Sequence, residues 1–146
     1  MRWPDRPIAA VEEVEMSATP GSCRVLVVED DPLSRNALAL LLEHVGCTVC
    51  AAESVSDALR LVDGKTHVIT DLVLADSTSL ALLAAIRRRP TRPRVAVMTA
   101  LERDTGVFRD AAAFEPDLLL QKPVDAHVLL GWLGIDASPS LRPPAV

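Results

Sequence analysis

The chain has 146 residues and a formal net charge of -5, with 49% hydrophobic, 24% charged and only 3% aromatic residues. That length suits one ordinary domain whose core is built from Leu, Val, Ala and Ile, and the acidic balance argues against nucleic acid as a direct partner, since no basic excess is available to neutralise phosphates. No apolar run reaches the length of a membrane span, and Pro and acidic residues interrupt the amino terminus where a leader needs an apolar stretch, so the reading is a cytoplasmic domain without a membrane partner.

Residues 1–22 mix Pro, Glu and small residues without periodicity and read as a flexible arm. RVLVV (24–28) is a β-branched run that ends in the acidic cluster Glu29-Asp30-Asp31. Pro32 suits the first turn of a helix, and LSRNALALLLEHVG carries apolar residues at helical spacing up to Gly46. TVCAA (48–52) reads as a second strand, followed by a helix through SDALRLVDG, capped by Ser54 or Ser56 and ended by Gly64. HVIT (67–70) is a third apolar strand running into Asp71, and SLALLAAIRRR (79–89) an amphipathic helix whose arginines suit its carboxyl end. RVAVMT (94–99) is a fourth strand, residues 102–113 a weakly patterned helix, DLLLQ (117–121) a fifth strand and DAHVLLGWLG (125–134) a closing helix. The domain thus spans 23–135, and 136–146, rich in proline, reads as a disordered tail.

Continuously apolar strands alternating with helices predict an α/β fold, a doubly wound five-stranded parallel sheet in the order 2-1-3-4-5 with helices on both faces. Ligands of such sheets bind beyond the carboxyl ends of the strands, near the switch point. There the sequence places Glu29, Asp30 and Asp31 after strand 1, Asp71 after strand 3, Thr99 after strand 4 and Gln121-Lys122-Pro123 after strand 5. Clustered carboxylates repel one another unless a hard cation sits among them, and Mg²⁺, with its preference for oxygen ligands, meets that need. An aspartate beside such a cation is a competent nucleophile toward phosphorus, Lys122 can neutralise the transferred charge, and Thr99 offers a hydroxyl donor.

Two other groups read as structural. Cys47 and Cys50 form a C-x-x-C preceded by His44, but a zinc site needs further ligands, and an odd separation on a strand sends the two thiols to opposite faces. Arg87, Arg88, Arg89, Arg92 and Arg94 read as a solvated helix end rather than a nucleic-acid patch. Asp31 reads as a helix N-cap.

With RVLVVEDDPLSR, HVITD, VAVMTA and QKP in this order and spacing, the sequence resembles the receiver domains of two-component response regulators over residues 24 to about 135. The resemblance implies that Glu29 and Asp30 hold Mg²⁺, that Asp71 is the phosphoacceptor and metal ligand, and that the Val73 backbone carbonyl completes the protein ligands. It assigns Thr99 as the switch hydroxyl and Lys122 as the phosphoryl-binding lysine, with a cis Lys122-Pro123 bond. It implies a stand-alone receiver, phosphorylated by a histidine kinase or phosphotransfer protein, that signals to a downstream protein target through helix 4, strand 5 and helix 5. A homodimer is compatible with it; turnover of a separate substrate, as by an enzyme, is not expected. Asp76 is a rival acceptor, disfavoured because too short a loop would then precede the helix beginning at Ser79.

Departures from the family pattern bear on switching. Leu74-Ala75 and Ser79 replace a usual Met-Pro pair and glycine, and Leu119 replaces the usual aromatic before the lysine. Apolar Val73 and Leu101 flank the expected path of a hydrolytic water, which predicts slow self-dephosphorylation. A pseudo-receiver that binds without switching is the alternative. An aspartyl-phosphate hydrolase of the haloacid dehalogenase kind needs a second Asp two residues after the nucleophile, and Val73 stands there.

Overall fold

A computed structural model describes residues 23–135; the arm read over 1–22 and the tail read over 136–146 lie outside the described residues. Five strands, β1 (Arg24–Val28), β2 (Thr48–Ala52), β3 (His67–Asp71), β4 (Arg94–Thr99) and β5 (Leu118–Gln121), alternate with five helices. These are α1 (Pro32–His44), α2 (Val55–Leu61), α3 (Leu80–Arg87), α4 (Gly106–Ala113) and α5 (Ala126–Trp132). All four strand pairings are parallel, and the sheet order is β2-β1-β3-β4-β5, as the alternating pattern predicts.

The two-residue period of a strand divides the core. Val25, Val27, Ile69, Ala96 and Met98 face Ala39 and Leu42 of α1 and Leu129 and Leu130 of α5. Leu26, Val28, Val68, Val95 and Val97 face Ala58 of α2, Leu82, Leu83 and Ile86 of α3, and Ala111 of α4. Because both faces are covered, the central strands carry almost no polar side chains until they reach their ends. Cys47 and Cys50 do fall on opposite faces of the sheet, and His44 is exposed.

Local chemistry moves several boundaries. The fourth helix begins at Gly106 rather than 102, because Thr105 is extended and its hydroxyl accepts the N–H of Phe108, capping the helix there. The fifth strand begins at Leu118 because the Asp117 carboxylate takes the N–H of Val95 that a strand carbonyl would otherwise receive. Ser54, not Ser56, caps α2 by accepting from Asp57. Ser79 precedes α3 at φ -83°, a conformation that needs no glycine. The arginine group is more structured than a solvated helix end. Arg87 donates to the Phe114 carbonyl, Arg89 pairs with Asp63, and Arg94 donates to the Trp132 carbonyl while lying 5.3 Å from its ring centroid.

Candidate functional site

The acidic residues meet because three parallel strands end side by side. The Val28↔Thr70 pairing sets the end of β1 beside that of β3, and Asp71 pairs with Met98, one residue short of Thr99. Glu29 extends β1 by donating its N–H to the Ala52 carbonyl at 3.0 Å. Glu29, Asp30 and Asp71 each offer a carboxylate oxygen, all within 4.8 Å of one another. Glu29 and Asp71 are only 3% and 7% exposed, whereas Asp30 is partly open to solvent. Asp31 turns away and caps α1 by accepting from Ser34 at 2.9 Å.

Lys122 closes the cluster. Its N–H donates to the Thr99 carbonyl at 2.8 Å and its bond to Pro123 is cis. From there its ammonium lies 2.8 Å from Asp71 Oδ2 and 3.3 Å from Glu29 Oε1. Burial pushes the Glu29 carboxyl up, and the neighbouring Asp71 charge adds to this, while the Asp31 N–H and Lys122 work the other way. Lys122 is itself pulled down by burial, yet its bonds to Asp71 and the charge of Glu29 outweigh that and raise it. One cation therefore serves two buried acids.

Three carboxylates presenting oxygens toward one point, with one acid still partly hydrated, fit a hard divalent ion such as Mg²⁺. The loop after Asp71 is tied to the turn that follows it. Val73 bridges Thr78 through hydrogen bonds made by its neighbours, Ser79 N–H to the Leu72 carbonyl and Leu74 N–H to the Ser77 carbonyl. The Val73 carbonyl thus stands outside that ladder. Asp76 sits exposed in the same turn, in the loop after β3 rather than at its end. The C-x-x-C adds no ligand here, and among the described residues the acidic triad is the cluster able to hold a metal.

Thr99 is fully buried, and its hydroxyl accepts the Leu101 N–H at 3.0 Å, leaving its own proton to donate. Leu119 lies opposite Val97 and packs into the core on the α2–α3–α4 side. Arg35 escaped the sequence reading: its guanidinium donates to the Glu29 carbonyl at 3.0 Å and reaches that of Asp30 at 3.4 Å, bracing the acidic turn. Its place one turn into α1, facing back over the strand end, was the available signal.

Residues 25–133 match the family described as response regulator receiver domain. A cyclic di-GMP phosphodiesterase of Thermotoga maritima is 28% identical over 105 residues, covering 72% of this chain and 28% of that protein. The chain spans between 28% and 37% of the length of the first curated relatives it matches. A CheY-like receiver domain from Methylobacillus flagellatus superposes with a TM-score of 0.66 at 28% identity, covering 77% of this chain and 96% of that one. A Burkholderia pseudomallei response regulator, whose structure holds a phosphorylated aspartic acid, a calcium ion and citrate, gives 0.67 at 26% identity, covering 76% and 66%. No helix among the described residues is long and apolar enough to cross a membrane.

Proposed function

We propose, from the premise that this chain belongs to the response regulator receiver family, that Asp71 accepts a phosphoryl group in a Mg²⁺-dependent reaction. The donor is a phosphohistidine of a histidine kinase or phosphotransfer protein in the cytoplasm, and the domain signals to a downstream protein by contact rather than by turning over a substrate. The observation that carries this reading is the Lys122 ammonium held 2.8 Å from Asp71, inside the Glu29–Asp30–Asp71 cluster.

An Asp71 carboxylate oxygen attacks phosphorus, the bond to the donor nitrogen breaks, and the departing imidazole keeps that electron pair. Lys122 and the Thr99 hydroxyl donate to phosphoryl oxygens as charge shifts. Glu29, Asp30, Asp71 and the Val73 carbonyl would hold Mg²⁺, which supplies charge neutralisation and alignment. Arg35 keeps the acidic turn in place. Incubation with Mg²⁺ and a small acyl phosphate, read by intact mass, is expected to add one phosphoryl group to the wild type and none to Asp71→Asn. Equal modification of the two would move the acceptor elsewhere.

Val73, at 44% exposure, and half-buried Leu101 offer no hydrogen bond to an incoming water. The phosphorylated protein is accordingly expected to persist well beyond seconds after donor removal. Val73→Asn, which gives water a partner, is expected to shorten that lifetime. Decay within seconds in the wild type would contradict this assignment.

A second reading, a module that accepts phosphoryl without switching, draws on Leu119, whose apolar side chain has no hydroxyl to exchange partners. Hydrogen exchange over α4, β5 and α5 separates the two. Altered protection on phosphorylation supports a switch, and unchanged protection supports the module.

A further inference from the structure

The opposite edge of the sheet gathers two thiols and an imidazole. Cys23 and Cys47 immediately precede β1 and β2, and the Thr48 N–H donates to the Cys23 carbonyl at 2.9 Å. The Arg24↔Thr48 register therefore continues one residue outward and makes the cysteines lateral neighbours. Neighbouring strands lie about 4.8 Å apart, inside the roughly 4.4–6.8 Å of Cα separation that a disulfide spans. The two sulfur atoms are 2.7 Å apart, and both residues are free thiols on the α1–α5 side of the sheet.

The two thiols differ in a useful way. Cys47 is 6% exposed, whereas Cys23 is partly open. His67 stands at the same edge, its ring set edge-on to Trp132 at 5.1 Å between centroids and its Nδ1 2.8 Å from the Thr66 hydroxyl. The hydrogen bond with Cys47, opposed by burial and helped by His67, holds the Cys23 thiol down at about 5. The same bond, together with burial, pushes Cys47 well up. Cys23 is thus the more accessible sulfur and the more easily ionised, and Cys47 the shielded one in contact with it. A metal is the poorer occupant, because these three groups do not converge as the acidic triad does.

We propose that Cys23 and Cys47 are an oxidative modification site, closing to a reversible intramolecular disulfide when the protein meets a hydroperoxide. The Cys23 thiolate attacks a peroxide oxygen, breaking the O–O bond to give a sulfenic acid and, with one proton, water or an alcohol. Cys47 then attacks the Cys23 sulfur through its own, losing its proton as the hydroxyl leaves as water. Two sulfurs give up two electrons and the peroxide takes both. Thiol reductants reverse the bond by exchange. The disulfide would tie the starts of β1 and β2 together. Cys50, on the other face, is an internal control.

The test uses the full reduced chain treated with hydrogen peroxide, then alkylated and mapped by mass spectrometry without reduction. The expected product is lighter by two hydrogen atoms before alkylation, contains a linked Cys23–Cys47 peptide, leaves Cys50 alkylated and yields three alkylatable thiols when dithiothreitol precedes alkylation. Its Tm should rise by on the order of 10 °C over the reduced protein, as a cross-link closing a loop of this length does. Cys50→Ser should retain the cross-link, and Cys23→Ser should lose it. Three alkylatable thiols after peroxide, oxygen retained on Cys23 with Cys47 still free, or a cross-link through Cys50 or a second chain would each overturn the proposal. The wild-type measurement stands even if a cysteine variant fails to fold.

Discussion

Replacing Lys122 with alanine is expected to slow phosphoryl transfer to Asp71 by roughly 100- to 1,000-fold, as loss of one preorganised charge-stabilising donor does, with the fold retained. The Lys122 side chain is 33% exposed, so its truncation opens no buried cavity. What it removes is the ammonium 2.8 Å from Asp71 and 3.3 Å from Glu29. Before transfer that charge allows two buried carboxylates to stand side by side; during transfer it meets the negative charge moving onto the acceptor. Lys122→Arg keeps the charge but spreads it over a planar fork that does not reproduce a compact ammonium between two acids, so partial recovery is expected. Initial rates of mass gain with an acyl phosphate in Mg²⁺ measure the effect, and circular dichroism verifies the fold. A folded Lys122→Ala protein phosphorylated at the wild-type rate would remove Lys122 from the chemistry.

The second large effect is metal-dependent stability. With Mg²⁺ at a hundred times its Kd, the folded protein should gain about 2.7 kcal/mol, a Tm rise on the order of 10 °C that chelation reverses. The gain arises because the ion binds an arrangement of oxygens that exists only after β1 and β3 pair. Asp30→Asn is the informative variant, since Asp30 is partly exposed and its loss leaves the core intact while removing one ligand charge. It is expected to lose most of the rise, and Asp71→Asn likewise. Ca²⁺ should replace Mg²⁺ in part, because the ligands are all oxygen. An equal Tm rise in the wild type and both variants would indicate general ionic screening instead of a site.

Much of the architecture is legible in the chain because its signals are local. RVLVV, HVIT and RVAVMT are apolar apart from their terminal residues, which suits a sheet covered on both faces, and the helices between them carry their own caps and stops at Asp31, Ser54 and Gly46. The switch-point rule selects Glu29, Asp30, Asp71, Thr99 and Lys122, and the structure gathers the acids and the lysine at that edge. Boundaries set by one side-chain hydrogen bond were less visible. Thr105 accepting from Phe108 and Asp117 accepting from Val95 each move an element's start, and nothing in hydrophobic periodicity reports them.

The cysteines show where local signals end. The sequence pairs Cys47 with Cys50 by proximity along the chain, and strand alternation correctly sets those two on opposite faces. Cys47 instead meets Cys23, 24 residues away, because the β1–β2 register makes them neighbours. Three of the arginines behave alike: grouped in sequence, Arg87, Arg89 and Arg94 are tied to Phe114, Asp63 and Trp132, partners supplied by distant elements. By itself, then, the sequence determined the order of elements and the kinds of chemistry at the strand ends, since these follow from periodicity and residue type. Only the tertiary structure decided which groups touch: Lys122 with Asp71, Arg35 with the acidic turn, Cys23 with Cys47. Contacts across strands depend on register and sheet order, and those are settled by packing the whole domain at once.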